Sequence, residues 1–312
     1  MNHYQFYLIY FAMLMISIKT GVLMGSETSA MSVDEAIIFT FCLITSAMFF
    51  WQWYRRLSLM WPPDRNALAK FVFRALPAAA FVIVFFPLID WASFDVVVSF
   101  TFVIFYILMG YMFIHLGLSF MGLLFDISWA DDAINNGNKA AVPAVAGGFI
   151  ALAVIYSGSN VGDGPGWWCV VFACGLGFAA WFLLGVIFHK ITGVFERVTI
   201  ERDIGCGIRL GCYFIASGII LARASAGDWT SFGMTVVEFM DGWIVLPLAA
   251  LMAAAELLVY KPKAKTDDSR GIAHLPSSII CGAAFIVIAI LCVMYVIGPL
   301  PKNPVYGVAA VL

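Results

Sequence analysis

Residues 131–158, DDAINNGNKAAVPAVAGGFIALAVIYSG, join a polar acidic turn directly to an apolar segment of small residues. The same order returns at 201–227, ERDIGCGIRLGCYFIASGIILARASAG, where a charged turn again precedes a segment rich in Gly and Ala. Weaker copies begin at Asp64 and Asp268. A repeated turn and helix predicts an array of similar helical hairpins, each packed against its neighbours.

Composition sets the class of protein. The 312 residues are 63% hydrophobic and only 12% charged, whereas ordinary soluble domains are about one quarter charged. We therefore expect an all-α, polytopic transmembrane helical bundle without a sizeable soluble domain. The formal net charge is -2 and no basic patch interleaved with aromatic residues is present, so a nucleic-acid-binding protein is excluded.

The apolar runs predict about nine spans within a single integral membrane domain, 1–312. They cover residues 4–24, 34–54, 71–89, 96–125, 142–160, 166–189, 208–226, 232–260 and 277–297. The first is an additional span within 1–30. The others form the hairpin repeats 34–90, 96–160, 166–226 and 232–298.

The distribution of Lys and Arg predicts the orientation. Alternate loops hold most of these residues, whereas the loops between them hold only Lys19, Arg223 and Lys302. Cytoplasmic loops keep an excess of basic residues. We therefore expect a cytoplasmic N-terminus, an external C-terminus and polar turns that all lie on the cytoplasmic side.

Small residues recur at near-helical spacing after two of the polar turns. The first set is Ala140, Ala144, Gly147 and Gly148, and the second is Gly205, Gly207, Gly211 and Ala216. Such residues let membrane helices approach closely, so helix packing is the favoured interpretation. A pore-lining role is the alternative.

The run Asn135-Asn136-Gly137-Asn138-Lys139-Ala140-Ala141, followed by Gly147-Gly148, resembles the domain of unknown function 350 family of YjfL-like bacterial membrane proteins. The resemblance extends over about 50–298 and is specific over 126–162. The second copy departs from it, because Ile204 stands in place of the Asn. The resemblance implies a multi-pass protein of the bacterial inner membrane built from tandem hairpins, and it implies no reaction.

Two carboxylates in the eighth apolar run are candidates for a cation or proton site. Counted from Phe232, Glu238 lies about 9 Å and Asp241 about 14 Å into the span, three residues apart on one helix face. Ionisable groups within a span are expected to face the bundle interior or a water-filled cavity.

Ion pairs are the structural alternative for the charges in these spans. Arg223 lies near the outer end of the seventh span and could neutralise Glu238, which would leave Asp241 unexplained. Arg209 begins that span and Glu256 ends the next, so these two could pair at the inner end.

The polar turns and one histidine complete the candidate residues. Asp131, Asp132, Asn138, Glu201 and Asp203 could form a cytoplasmic binding surface, or they could simply cap the helices that follow, since Asp and Asn are favoured at helix starts. His115 lies within the fourth span near Tyr106, Tyr111 and Ser119, where we expect an interhelical hydrogen bond rather than a proton shuttle.

Two functions fit these features. The favoured one is a membrane-complex subunit that docks a partner protein, or a second copy of itself, through small-residue helix faces and cytoplasmic acidic turns. The alternative is a conduit for a small cation or proton through Glu238 and Asp241. Transporter sites usually interrupt a helix, and no apolar run is visibly broken at mid-membrane.

No catalytic motif, metal-ligand spacing or cofactor motif is present, so we expect neither an enzyme nor a bound metal or cofactor.

Overall fold

The computed structural model describes residues 31–59, 67–260 and 274–298. In this part of the chain the protein is an all-α bundle with eight helices long and apolar enough to cross a membrane. These eight match the second to ninth predicted spans. The predicted first span, 4–24, lies outside the described residues.

Eleven α-helices follow one another along the described residues. In chain order they are α1 (Val33–Ser58), α2 (Ala67–Asp90), the short α3 (Phe94–Val98), α4 (Phe100–Leu124), α5 (Ala141–Gly158), α6 (Trp167–Thr192), the short α7 (Val194–Thr199), α8 (Ile204–Ala224), α9 (Phe232–Phe239), α10 (Val245–Ala254) and α11 (Leu275–Cys292). A π-helical turn, Trp129–Asn135, precedes α5.

The eighth predicted span is not a uniform α-helix. It runs from Phe232 to Val259 and contains a 3-10 segment, Met240–Ile244, between α9 and α10. A π-helical turn, Ala255–Val259, ends it. The apolar run did not predict these changes of pitch, but the stretch stays helical throughout, as expected of a span that is not broken at mid-membrane.

The helices pack in two rows. The second helices of the hairpins, α2, α5, α8 and α11, lie side by side in that order, and the largest interface of the bundle joins α5 to α8. The first helices, α1, α4, α6 and the α9–α10 stretch, form the other row. The hairpin prediction missed this arrangement, because the closest packing joins successive hairpins rather than the two helices of one hairpin.

Glycines allow α5 and α8 to meet backbone to backbone. A Cβ added to Gly147 would lie 2.2 Å from the carbonyl oxygen of Gly211, and one added to Gly158 would lie 2.2 Å from that of Ala222. The contacts advance in the same direction along both helices, which are therefore parallel. The packing interpretation of the small residues is confirmed at these positions. At Gly147 and Gly158 the small residues are therefore used for packing within the chain, and docking of a partner through small-residue faces stays a prediction.

Two prolines within α2 show how this helix is joined to α1 in the other row and to α5 in its own row. Pro77 and Pro87 cannot donate the helical hydrogen bonds to the carbonyls of Phe73 and Ile83, four residues earlier. The Trp53 indole of α1 donates to the Phe73 oxygen at 2.9 Å, and the Ser157 hydroxyl of α5 donates to the Ile83 oxygen at 2.8 Å. Neighbouring helices therefore satisfy the carbonyls that the prolines leave free, as a membrane interior requires.

The two ends of the bundle differ in charge. One end, which we call the basic end, contains the ends of α1 and α6, the starts of α2, α5 and α8, and α7. Its basic side chains are Arg55, Arg56, Lys70, Arg74, Lys139, Lys190, Arg197, Arg202 and Arg209. Among the described residues the opposite end carries Arg223 alone.

Candidate functional site

The turn before α5 begins with a change of backbone direction. Asp126 has φ 54°, a left-handed conformation that Asp tolerates better than most residues. Ser128 then caps the π-helical turn, since its hydroxyl accepts a hydrogen bond from the Asp131 amide at 3.1 Å. In return, the Asp132 carboxylate accepts from the Ser128 amide at 2.7 Å. The capping interpretation thus holds for the Asp132 carboxylate, whereas the Asp131 carboxylate accepts from the Asn135 side chain at 3.0 Å.

A cavity of about 580 Å³, which we call the acidic pocket, lies beside this turn at the basic end. Its walls come from the ends of α1 and α4, the turn 126–132 and the residues after α7. The lining residues are Gln52, Arg56, His115, Leu116, Leu118, Ser119, Phe120, Gly122, Leu123, Asp126, Ser128, Trp129, Ala130, Asp131, Asp132, Thr199 and Ile200. This volume lies within the usual range for small-molecule sites and is large enough for an inserted side chain.

The charges of the acidic pocket are unbalanced. Three carboxylates, those of Asp126, Asp131 and Asp132, line it with a single guanidinium, that of Arg56. Arg56 lies over the Trp129 ring at 5.6 Å from its centroid, and Trp129 stacks on Trp53 at 4.2 Å. The only cation among the lining residues is therefore already held against an aromatic wall.

The protonation of Asp132 reflects this imbalance. Burial raises the pKa of Asp132, and the negative charges of Asp126 and Asp131 raise it further. The hydrogen bond from the Ser128 amide and the positive charge of Arg202, which is not among the lining residues, oppose this rise without cancelling it. A positive group entering the pocket would favour the ionised form of the carboxyl and would be attracted in turn.

His115 lies in the wall of the acidic pocket. The residue is 7% exposed, and its ring lies 5.4 Å from that of Phe49. Its predicted polar neighbours have other bonds, since the Tyr111 hydroxyl donates to the Pro77 carbonyl and the Ser119 hydroxyl donates to the His115 backbone oxygen. Sequence reasoning did not connect His115 with the acidic turn, because the two are brought together only by the packing of α1, α4 and the turn.

Asn138 ties the first polar turn to the second. The residue is 1% exposed, and its amide nitrogen donates to the carbonyl of Val198 at 2.8 Å. Its side-chain oxygen accepts from the Ala140 amide at 3.0 Å, at the start of α5. Asn138 is therefore a structural connector rather than part of an exposed binding surface.

A buried ionic network surrounds the turn before α8. Glu256 accepts hydrogen bonds from both Arg209 and Arg197, and Arg197 also donates to Asp203 at 2.8 Å. Arg209 further donates to the Ser278 hydroxyl of α11. The predicted pair of Arg209 with Glu256 is present. The sequence did not predict that Arg197 and Ser278 also belong to this network.

Asp203 and Glu201 have different roles in this second turn. Asp203 caps α8, because its carboxylate accepts from the Cys206 amide at 3.0 Å. Burial opposes its ionisation, but this bond and the Arg197 guanidinium outweigh burial and lower the pKa of Asp203. Glu201 is exposed and is not among the residues that line the acidic pocket.

The carboxylates of the eighth span do not lie where the sequence predicted. Glu238 and Asp241 are both exposed, and α9, which contains Glu238, buries no residue. The stretch Phe232–Val259 has 28 residues, or about 42 Å, whereas about 20 residues cross a bilayer. The excess length leaves room for the start of this stretch beyond the apolar zone. Glu238, although exposed, lines a small cavity where α5 and α8 end, whereas the prediction that Asp241 faces the interior or a cavity is wrong.

The predicted pair of Arg223 with Glu238 is also wrong. The ion pairs among the described residues join Arg197 and Arg209 to Asp203 and Glu256. Arg223 instead donates to the backbone carbonyl of Gly298 at 2.9 Å, and the carboxylate whose charge acts on it is that of Asp241.

The residues of the acidic pocket do not form a metal centre. In the described part of the chain, no three side chains of His, Cys, Asp or Glu lie together as a metal ion would require. The chemistry that the pocket offers is the binding of a positively charged organic group by carboxylates, with an aromatic wall beside them.

The fold and the apolar helices define the class, a multi-pass helical membrane protein in contact with lipid. Comparison with protein families, with curated proteins and with solved structures finds no match in any of the three. The resemblance to the domain of unknown function 350 family therefore stays a prediction from the residues of the first repeat.

Proposed function

We propose that this protein is a subunit of a membrane complex and that it docks a partner by taking a basic segment of that partner into the acidic pocket. The observation that carries the proposal is the three carboxylates that line the pocket with one guanidinium. Asp126 and Asp131 are exposed, so a ligand can reach them from the basic end. Since cytoplasmic loops are enriched in Lys and Arg, we propose that this end faces the cytoplasm of a bacterial inner membrane.

The rest of the bundle supports a scaffold rather than a moving carrier. The Gly147 and Gly211 backbones are in direct contact, and the buried network around Glu256 joins α7, α8, α11 and the end of the eighth span. Rigid elements of this kind hold a binding site in fixed geometry. The alternative, a conduit for a small cation or proton, has less support because Glu238 and Asp241 are exposed.

The test is purification of the full chain at native expression level in a mild detergent, followed by native mass spectrometry. We expect a second protein in stoichiometric amount with the wild type and its loss in the double variant Asp126→Asn, Asp131→Asn. Asn tolerates the left-handed conformation of residue 126 and keeps an oxygen to accept hydrogen bonds at residue 131, so the variant should fold.

The matched control is Glu201→Gln, which removes an exposed carboxylate of the second turn outside the pocket. This variant should retain the partner. Purification of the wild type as a monomer or homo-oligomer would contradict the proposal, and so would equal loss of the partner from the control.

A further inference from the structure

A second, smaller cavity lies at the opposite end of the bundle, where α5 and α8 end and α6 and α9 begin. It has a volume of about 50 Å³, enough for about three or four water molecules or for one small ion with part of its hydration shell. Its walls include Asn160, Asp163, Ser225, Trp229 and Glu238. The acidic pocket shares none of these residues, so the two sites are independent.

Two residues that line this cavity each have a buried oxygen without a hydrogen-bond partner in the described part of the chain. Asn160 is 5% exposed, and its amide nitrogen donates to the Tyr156 carbonyl at 2.6 Å, which fixes the orientation of the amide group. Its oxygen Oδ1 is left without a partner in the described residues, as is Oγ of Ser225, which is 7% exposed. Buried polar atoms are normally satisfied, so these two oxygens are candidates to contact a water molecule or an ion held in the cavity.

The residues that line the cavity carry negative charge, while Arg223, the described cation at this end of the bundle, donates to the backbone oxygen of Ala226 at the wall, at 3.5 Å. Glu238 and Asp163 line the cavity, and no Lys or Arg is among the described lining residues. The Glu238 carboxylate lies against Gly227, since a Cβ added there would be 3.5 Å from Oε2. The parallel helices α5 and α8 both end here, and helix C-termini carry partial negative charge on their free carbonyls.

We propose that this cavity binds a hard cation through Asn160, Ser225 and the Glu238 carboxylate. Amide, hydroxyl and carboxylate oxygens are ligands that hard cations prefer. Glu238 is exposed and stands at the rim, so the ion enters from the solution at this end of the bundle. The site differs from the one predicted from sequence, because it uses Glu238 without Asp241 and lies at the helix ends.

The test is a cation titration of the purified full chain in detergent, at constant ionic strength with choline chloride as the balancing salt. Sodium and calcium are added separately after chelation, and thermal unfolding and tryptophan emission are followed. Binding to the folded state should raise the unfolding midpoint by about 5 °C at saturation. Trp229 lines the cavity, so its emission should change over the same concentration range.

Two variants separate site binding from a general effect of charge. Glu238→Gln should abolish the shift in midpoint, and Asp241→Asn should retain it, because Asp241 is an exposed carboxylate in the same span that does not line the cavity. Ser225→Ala, a smaller change, should weaken the affinity at least tenfold. The absence of a saturable shift with either cation in the wild type would overturn the proposal, as would an unchanged shift in Glu238→Gln.

Discussion

The turn before α5 and the turn before α8 occupy the same place in the repeat, yet their charges serve different purposes. In the second turn, Asp203 pairs with an arginine that also binds Glu256, and the network is largely buried. In the first turn, Asp126 and Asp131 stay exposed in a pocket whose only guanidinium lies on an aromatic ring. One copy of the repeat uses its charges to join helices, and the other leaves two of its carboxylates exposed.

The largest effect should come from breaking the network of the second turn. Glu256→Ala would leave Arg197 and Arg209 buried without the carboxylate that both contact, at a cost of about 3–5 kcal/mol. Unfolding in detergent, followed by circular dichroism, should show a large loss of stability. Glu201→Ala, at an exposed carboxylate of the same turn, should change stability by no more than about 0.5 kcal/mol. Equal stability of the two variants would show that the network does not hold the helices together.

The second-largest effect should come from the interface between α5 and α8, which places the two turns side by side. Gly147→Ala introduces a methyl group 2.2 Å from the Gly211 backbone, so the helices must separate, at a cost of about 1–3 kcal/mol. Gly175→Ala is the control, because nothing lies within 4 Å of its Cβ position. The same unfolding measurement should show a loss for the first variant alone. A loss of similar size in both would refute the close approach of α5 and α8.

The smallest effect is a difference in pH dependence between the two turns. The folded-state pKa of Asp132 is raised above its ordinary 3.8, so its contribution to stability is complete below that value and is lost as the pH rises through the raised pKa. The folded-state pKa of Asp203 is lowered, so its contribution is present above 3.8 and is lost as the pH falls through the lowered pKa.

The difference in unfolding free energy between the wild type and each Asn variant should therefore change with pH in opposite directions for the two turns. The stability of the wild type relative to Asp132→Asn should fall as the pH is raised from about 4 toward neutrality. Relative to Asp203→Asn, it should be greatest near neutral pH and decline below 3.8. Slopes of the same sign would show that the two turns do not differ in their electrostatics.

The sequence predicted what depends on local composition. Eight spans follow from long apolar runs separated by charged turns, and Gly147 and Gly211 predicted a close helix contact, although not that α5 and α8 are the two helices that make it. The pair of Arg209 with Glu256 could be predicted because the two residues lie at the same end of consecutive spans. Each of these features is encoded within one segment or between two neighbouring ones.

What the sequence could not predict depends on contacts between distant segments. His115 shares a pocket with Asp131 only because α1 and α4 pack beside the turn. Arg197 joins the ionic network because the short helix α7 turns back toward α8, which no periodicity in the sequence indicates. Asp241 was predicted to face inward, but an apolar span in lipid does not reveal which of its faces is covered.

The most direct test of the proposed docking function is a zero-length cross-link at the acidic pocket. A carbodiimide joins a carboxylate to a lysine amine in contact with it, so treatment of native membranes should couple Asp126 or Asp131 to a lysine in a basic segment of the partner. Peptide mass spectrometry should locate that link, and the Asp126→Asn, Asp131→Asn variant should lack it while Glu201→Gln keeps it. Cross-links that avoid the pocket, or that persist in the double variant, would contradict the account.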